Sequence, residues 1–176
     1  LFTDSAEVRG MLLVEGALAK VQGELGLIPA EAGAFLHRAA SEVHIDPAAL
    51  AVETAANGVP VPALVAAFRK ASGAPAFGQF LHWGATSQDI MDTALALRLR
   101  RVIAIWEERL TALLAALGGL AETHADLPMA ARTYGQVATP TSLGLVVATW
   151  GRPLLAHRDG LARALGLDDP GHGWHT

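Results

Sequence analysis

The run FLHWGATSQDIMDTALALRLRR, residues 80–101, joins a polar loop to the start of a long helix. Two consecutive hydroxyls, Thr86 and Ser87, follow Gly84, and Thr86 with Asp89 makes the S/T-x-x-D/E pattern of a helix capping box. The first turn of a helix has unpaired N–H groups and a positive dipole end, so such a loop can bind a carboxylate or a phosphate. A capping box alone predicts only a helix start. The polar residues crowded around this one favour an anion site.

An apolar stripe follows the loop and predicts an unusually long helix. Spacings of three and four residues connect its members, a near-heptad pattern sustained beyond an ordinary globular helix. A helix of this length cannot bury its stripe against one small domain, so we expect it to pack in a bundle with other subunits. A solitary long helix within the chain is the alternative. The stripe comprises Met91, Leu95, Leu99, Val102, Trp106, Leu110, Leu113, Leu117 and Leu120.

The composition is that of a globular protein. The 176 residues are 52% hydrophobic and 17% charged, and 13 Lys and Arg against 17 Asp and Glu give a net charge of −4. This weak acidity argues against an extended nucleic-acid surface. The absence of cysteine excludes a disulfide framework and cysteine metal sites, and it is compatible with the cytoplasm. No apolar run approaches the roughly 20 residues of a membrane span.

Helical spacing and N-cap signals recur along the rest of the chain, whereas the alternation typical of a β-strand does not. We therefore predict an all-α fold, with an N-terminal helical domain at residues 1–85 and the start of a long-helix bundle domain at residues 86–176. Thr139 and Pro140 are expected to cap and begin the helix after the long one, and Pro153 to kink or break it. The other predicted helix starts are an Asp4–Glu7 capping box, Pro29, Asp46-Pro47 and Pro62.

Two stretches resemble signature regions of the fumarase/aspartase superfamily. The run GATSQDIMDTALALRLR resembles the first signature, most closely in its form in bacterial 3-carboxy-cis,cis-muconate cycloisomerases (lactonizing enzymes), with adenylosuccinate lyases next. ARTYGQVATPTSLG, residues 131–144, resembles the second signature, R-T-H-x-x-x-A-x-P-T/L-T-x-G. Tyr134 departs from it, because most lyases of the family carry a proton-transferring His there. This departure disfavours a fumarase-type or adenylosuccinate-lyase-type elimination and fits the cycloisomerase branch. The matching positions are Arg132, Thr133, Ala138, Pro140 and Gly144.

The resemblance implies both an architecture and a reaction. The architecture is a long-helix bundle, assembled as a cytoplasmic homotetramer whose active sites are shared between subunits, without nucleic-acid or membrane partners. The reaction converts 3-carboxy-cis,cis-muconate, a small tricarboxylate, to 4-carboxymuconolactone in the protocatechuate branch of the β-ketoadipate pathway. One substrate carboxylate adds to a double bond and a proton is delivered to the adjacent carbon. No cofactor and no metal are implied.

The resemblance also assigns groups that bind the substrate carboxylates. Thr86 and Ser87 would bind one carboxylate. Arg132 and Thr133 would clamp another, because a guanidinium forks onto two oxygens. Gln88 and Asp89 would orient the loop that carries Thr86 and Ser87.

Proton transfer has two candidate residues. Tyr134 would present a phenol to the substrate, with the amide of Gln136 beside it, and a structural tyrosine is an equal alternative. His82 precedes the first signature and would donate to the substrate. A structural histidine packed beside Trp83 is its alternative.

The third signature of the superfamily, a G-S-S-x-M-P loop, does not occur in the chain. We therefore interpret the chain as an N-terminal portion of such an enzyme, inactive alone. Trp174-His175-Thr176 matches a W-H-T segment of the cycloisomerases, and the spacing of His172 and His175 does not suffice for a metal site. Two other functions stay open. One is an adenylosuccinate-lyase-like enzyme, recognised by fumarate release. The other is a non-catalytic oligomerisation module, in which alanine at Thr86, Ser87 and Arg132 changes nothing measurable.

Overall fold

The computed structural model describes residues 1–164, and the chain divides into two units, Leu1–Leu99 and Arg100–Thr176. Helix dominates both units, as predicted. The predicted W-H-T match at residues 174–176, and the histidines at 172 and 175, lie outside the described residues. The proposed domain boundary between residues 85 and 86 stays a prediction.

The first unit is built from helices around one apolar core. Its largest fully buried side chains include Met11, Leu36, Leu64 and Phe68. The element bounds are α1 Asp4–Glu24, α2 Ala30–Glu42, a 3₁₀ turn Pro47–Leu50, α3 Ala51–Asn57, α4 Val61–Ser72, α5 Pro75–Gly78, and the beginning of α6 Ser87–Thr123.

Side-chain caps mark several of these helix starts. The Asp46 carboxylate accepts a hydrogen bond from the Ala48 N–H at 3.0 Å, which confirms the predicted cap before Pro47. At α1 the prediction was wrong by one residue. Thr3 is the N-cap there, with its hydroxyl accepting from the Ala6 N–H at 3.2 Å, and Asp4 is the first helical residue.

The second unit contains the rest of α6, a β-hairpin and a final helix. Strands β1 Pro128–Thr133 and β2 Gln136–Ser142 pair antiparallel and are followed by α7 Leu143–Ala164. The expectation that no strand is present was therefore wrong. Most residues of both strands are exposed, so neither carries the apolar alternation by which a half-buried strand is recognised.

The hairpin also moves the start of the last helix. Thr139 and Pro140 lie in β2 rather than at a helix start, so that prediction was wrong. Ser142 takes over the capping role, since its hydroxyl accepts from the Leu145 N–H at 3.2 Å. Helix α7 continues unbroken through Pro153. Within residues 1–164, no helix combines the length and the apolar character needed to cross a membrane.

Candidate active site

The loop before α6, residues 79–86, turns on two residues in the left-handed region. His82 has φ 63° and Gly84 has φ 68°. A positive φ costs a non-glycine residue energy, so the surrounding structure must hold His82 in place. Leu81 beside it is buried in the core, whereas Trp83 is half exposed. We call residues 79–86 the signature loop.

Helix α6 begins directly after this loop. The Thr86 N–H donates to the Asp89 carboxylate at 2.9 Å, one half of the predicted capping box. The Gln88 amide donates to the Asp92 carboxylate one turn further on, at 2.6 Å. Among residues 1–164 we find no hydrogen-bond partner for the side-chain hydroxyls of Thr86 and Ser87. These two hydroxyls are therefore available to a ligand, whereas the carboxylate of Asp89 is used to cap the start of α6.

A buried carboxylate lies under the signature loop. Glu15, in α1, has a side chain that is 1% exposed, and its Oε1 lies 2.6 Å from Nδ1 of His82. Burial raises the pKa of the Glu15 carboxyl from its ordinary 4.5, while the neighbouring His82 and Arg69 act in the opposite direction. The second oxygen of Glu15, Oε2, is buried without a hydrogen-bond partner among the described residues. The histidine ring is thus fixed by one of its two nitrogens.

Two further side chains fasten the backbone of this loop. Arg69 donates from Nε to the Gly78 carbonyl at 2.9 Å and from its guanidinium to the Leu81 carbonyl at 3.1 Å. Gln22, buried in α1, donates to the Trp83 carbonyl at 2.7 Å. Residues of α1 and α4 therefore hold the signature loop on either side of His82.

In the second unit, the predicted site residues lie at the tip of the hairpin. Thr133 pairs with Gln136, and Tyr134 and Gly135 form the two-residue turn between them, with φ 47° and φ 77°. Positive φ at both central residues is the pattern of a type I′ turn, whose twist matches that of the strands. Tyr134 is 104% exposed, and Thr133, Gly135 and Gln136 are exposed as well. We call residues 132–136 the hairpin tip.

The base of the hairpin is anchored to the end of α6. The Leu143 N–H donates to the Leu127 carbonyl at 3.0 Å, and the Gly144 N–H donates to the His124 carbonyl at 2.9 Å. A Cβ added at Gly144 would lie 2.7 Å from the Cα of Ala125, so the backbones touch at this point. Only glycine fits there, which gives a structural reason for the last glycine of the second signature.

The predicted site residues therefore form two groups. His82, Thr86, Ser87, Gln88 and Asp89 lie together in the first unit, and Arg132, Thr133, Tyr134 and Gln136 lie together in the second. Sequence reasoning missed Glu15 and Gln22. Their signal was present, because both are polar residues on the buried face of α1, where apolar residues are expected. Within residues 1–164, no group of three or more His, Asp or Glu side chains is arranged to hold a metal ion.

Comparisons with known proteins agree with this architecture. Residues 2–168 match the model of a family described as lyase. A 3-carboxy-cis,cis-muconate cycloisomerase from Pseudomonas aeruginosa is 42% identical over 164 residues, 92% of this chain and 36% of the relative. An adenylosuccinate lyase from Methanothermobacter thermautotrophicus is 38% identical over 144 residues, 82% of this chain and 32% of the relative.

A solved structure gives the same result for the fold. The 3-carboxy-cis,cis-muconate lactonizing enzyme from Pseudomonas putida superposes with a TM-score of 0.87 at 38% identity, covering 92% of this chain and 37% of that one. The predicted resemblance and the fumarase/aspartase-type helical fold are therefore confirmed. The chain spans little more than a third of the length of the relatives that it matches.

Proposed function

The chain belongs to the lyase family, and we propose that it is the N-terminal portion of a 3-carboxy-cis,cis-muconate cycloisomerase. The proposed reaction forms 4-carboxymuconolactone in the protocatechuate branch of the β-ketoadipate pathway, in the cytoplasm. Identity to two cycloisomerases at 40% and 42% over 92% of the chain supports this assignment. Tyr134, at the place where most lyases of the superfamily carry a histidine, supports it as well.

The chemistry makes clear demands on the site. One carboxylate oxygen of the substrate forms a C–O bond to a carbon of the diene, and the π electrons move toward a neighbouring carboxylate. A proton then goes to the adjacent carbon, so each turnover takes up one proton. Nucleophile and electrophile belong to one molecule, and proximity is therefore supplied by the substrate. The protein has to stabilise the charge that develops on the carboxylate and to deliver the proton.

The single observation that carries the proposal is the exposure of the hairpin tip. Tyr134 is fully exposed, so its side chain packs against none of the residues 1–164. Arg132 beside it has no carboxylate at ion-pair distance among the described residues. A guanidinium and a phenol beside a two-residue turn, both without a partner among the described residues, are suited to binding a substrate carboxylate. We assign Arg132 and Thr133 to that carboxylate, and Tyr134 and Gln136 to the atoms beside it.

The end of the signature loop, together with the first residue of α6, would bind a second carboxylate. The hydroxyls of Thr86 and Ser87 have no partner within residues 1–164 and lie at the N-terminus of a 37-residue helix, where the dipole favours negative charge. Gln88 and Asp89 are engaged within the first turns of α6, and they orient this loop rather than contact the substrate. His82 is the proposed proton donor.

We further propose that the complete protein is a homotetramer with shared active sites. Ile90 and Ala94 are the buried residues of α6, whereas five members of its apolar stripe are exposed in the chain, namely Leu95, Leu99, Trp106, Leu113 and Leu120. Packing between subunits would bury this stripe. On this proposal the 176 residues alone are inactive, because they supply only part of each site.

The test is the ultraviolet absorbance of the conjugated triacid during incubation with the complete protein. We expect the absorbance to fall as lactone forms, with no fumarate released from adenylosuccinate. Arg132→Lys keeps the positive charge but loses the planar guanidinium that can bind two carboxylate oxygens at once. The substitution should therefore raise KM about tenfold or more. Arg152→Lys, an exposed arginine on α7, is the matched control and should leave KM unchanged. Fumarate release from adenylosuccinate with no loss of triacid would overturn the proposal in favour of the lyase.

A further inference from the structure

Proton delivery needs a group whose orientation is fixed, and His82 has one nitrogen free for it. Its Nδ1 is occupied by Glu15 at 2.6 Å. We find no hydrogen bond to its Nε2 within residues 1–164, and the side chain is 20% exposed. The ring is therefore held at Nδ1 by a buried carboxylate, and no described residue occupies Nε2.

The contact between Glu15 and His82 carries two energetic costs. Glu15 is buried on the core-facing side of α1, where a carboxyl loses its hydration, and its Oε2 has no compensating hydrogen bond from residues 1–164. His82 adopts a left-handed backbone conformation, which has a modest cost for any residue with a Cβ, although histidine takes it more often than most. A leucine at position 15 and a glycine at position 82 would relieve both costs. These two costs, at a polar contact beneath a ligand-accessible loop, are the motive for assigning the pair a functional role.

We propose that Glu15 is the positioning residue for His82, occupying Nδ1 so that Nε2 is the atom that exchanges the proton with the substrate. This inference rests on the proposed function, which assigns proton delivery to His82. Wherever the shared proton lies between Oε1 and Nδ1, the ring cannot flip without breaking the contact with Glu15. The hydrogen bond of one ring nitrogen thus sets the role of the other.

The reaction needs such a group because the hairpin tip carries a tyrosine where most related lyases carry a histidine. In this assignment, Nε2–H of His82 gives its proton to the carbon beside the new C–O bond. Nε2 is reprotonated before the next turnover by the one proton that each turnover takes up from the solvent. Glu15 does not contact the substrate in this scheme, and it acts only through the histidine.

The test is a double-mutant cycle on kcat in the complete protein. His82→Asn is the suitable partner, because asparagine tolerates a positive φ and its amide can still donate to Glu15. We expect His82→Asn to lower kcat about 100-fold or more and Glu15→Gln to lower it about tenfold or more, with KM little changed in both. In the His82→Asn background, Glu15→Gln should change kcat less than about twofold. Independent losses that multiply in the double variant would overturn the inference.

Gln22→Leu is the matched control, because it removes another hydrogen bond from α1 to the same loop without touching the histidine. Its effect on kcat should multiply with that of His82→Asn. A Gln22→Leu effect that vanishes in that background would show that any loosening of the loop acts through His82, and would overturn the specific role of Glu15.

A substrate-independent measurement separates this inference from the proposed function. In the ¹⁵N spectrum of the resting protein, Glu15→Gln should shift the Nδ1 signal of His82 and Gln22→Leu should leave it in place. If the Nδ1 signal does not shift in Glu15→Gln, the inference is overturned, whichever substrate the protein uses. If the protein uses adenylosuccinate instead of the triacid, the proposed function fails, and the same cycle measured with adenylosuccinate decides about Glu15.

Discussion

The backbone of Gly33 in α2 lies against the backbone of Gly23 in α1. A Cβ added at Gly33 would be 2.6 Å from the carbonyl oxygen of Ala19 and 3.0 Å from the Cα of Gly23. The first distance is too short for a methyl group and the second is very tight, and both opposing atoms belong to backbone rather than to a flexible side chain. This contact sets the separation of the two helices, and α1 carries Glu15 and Gln22 to the signature loop.

Gly33→Ala should therefore destabilise the protein. Forcing a methyl group between two packed helices costs about 1–3 kcal/mol, more than the helix propensity of alanine returns. We expect a lower melting temperature in a thermal unfolding scan. Ala34→Leu is the control, because residue 34 is exposed on the same helix and surface changes stay within about 0.5 kcal/mol. Equal melting temperatures for Gly33→Ala and the parent protein would contradict the close contact.

Capping and substrate binding at the start of α6 can be separated by two substitutions. Asp89→Ala removes the acceptor of the Thr86 N–H and should cost about 1 kcal/mol of stability. Ser87→Ala removes a hydroxyl without a partner in the described chain, so stability should hardly change. If Ser87 binds a carboxylate, its loss should raise KM about tenfold, the usual strength of a hydrogen bond to a charged group. Kinetics and thermal unfolding of both variants check this prediction. A lower melting temperature for Ser87→Ala with an unchanged KM would show that the hydroxyl only stabilises the helix.

These results show which parts of the molecule the sequence could predict. The Asp46 cap and the Thr86–Asp89 pair were predictable because donor and acceptor are two or three residues apart. The hairpin was not, because Tyr134-Gly135 is not one of the common type I′ dipeptides and the strands lack an apolar face. Glu15 and His82 are 67 residues apart, so no local sequence pattern predicts that they are in contact. The sequence indicated only that Glu15 is a polar residue on the buried face of α1 and therefore needs a partner.

Assembly through α6 is testable at a single position. Leu113 belongs to the apolar stripe and is 47% exposed in the chain. In a subunit interface, Leu113→Glu would bury an unpaired charge, which costs far more than the interface gains from that position. If the complete protein is the proposed tetramer, we expect Leu113→Glu to give smaller species in light scattering coupled to gel filtration, with loss of activity.

Glu108→Gln, an exposed position on the same helix outside the apolar stripe, is the control and should leave the assembly intact. A Leu113→Glu protein that elutes with the mass of the parent would show that this part of α6 does not lie between subunits.

Stability should depend on pH through Glu15. Burial raises the pKa of its carboxyl above the ordinary 4.5, while His82 and Arg69 partly oppose that shift. The folded protein then binds more protons than the unfolded chain between pH 4.5 and the raised folded pKa. The contribution of Glu15 is thus fully present below pH 4.5 and is lost as the pH rises through the folded pKa.

Glu15→Gln removes this titration, because the amide stays neutral. The melting temperature of the parent minus that of Glu15→Gln should be largest at or below pH 4.5 and should decrease as the pH rises. Melting curves from pH 4 to about pH 8 measure this difference. Glu53→Gln, which makes the same substitution at an exposed position of α3, is the control variant. A parent protein that gains stability over Glu15→Gln with rising pH would mean that the attraction of His82 and Arg69 outweighs the burial of the carboxylate.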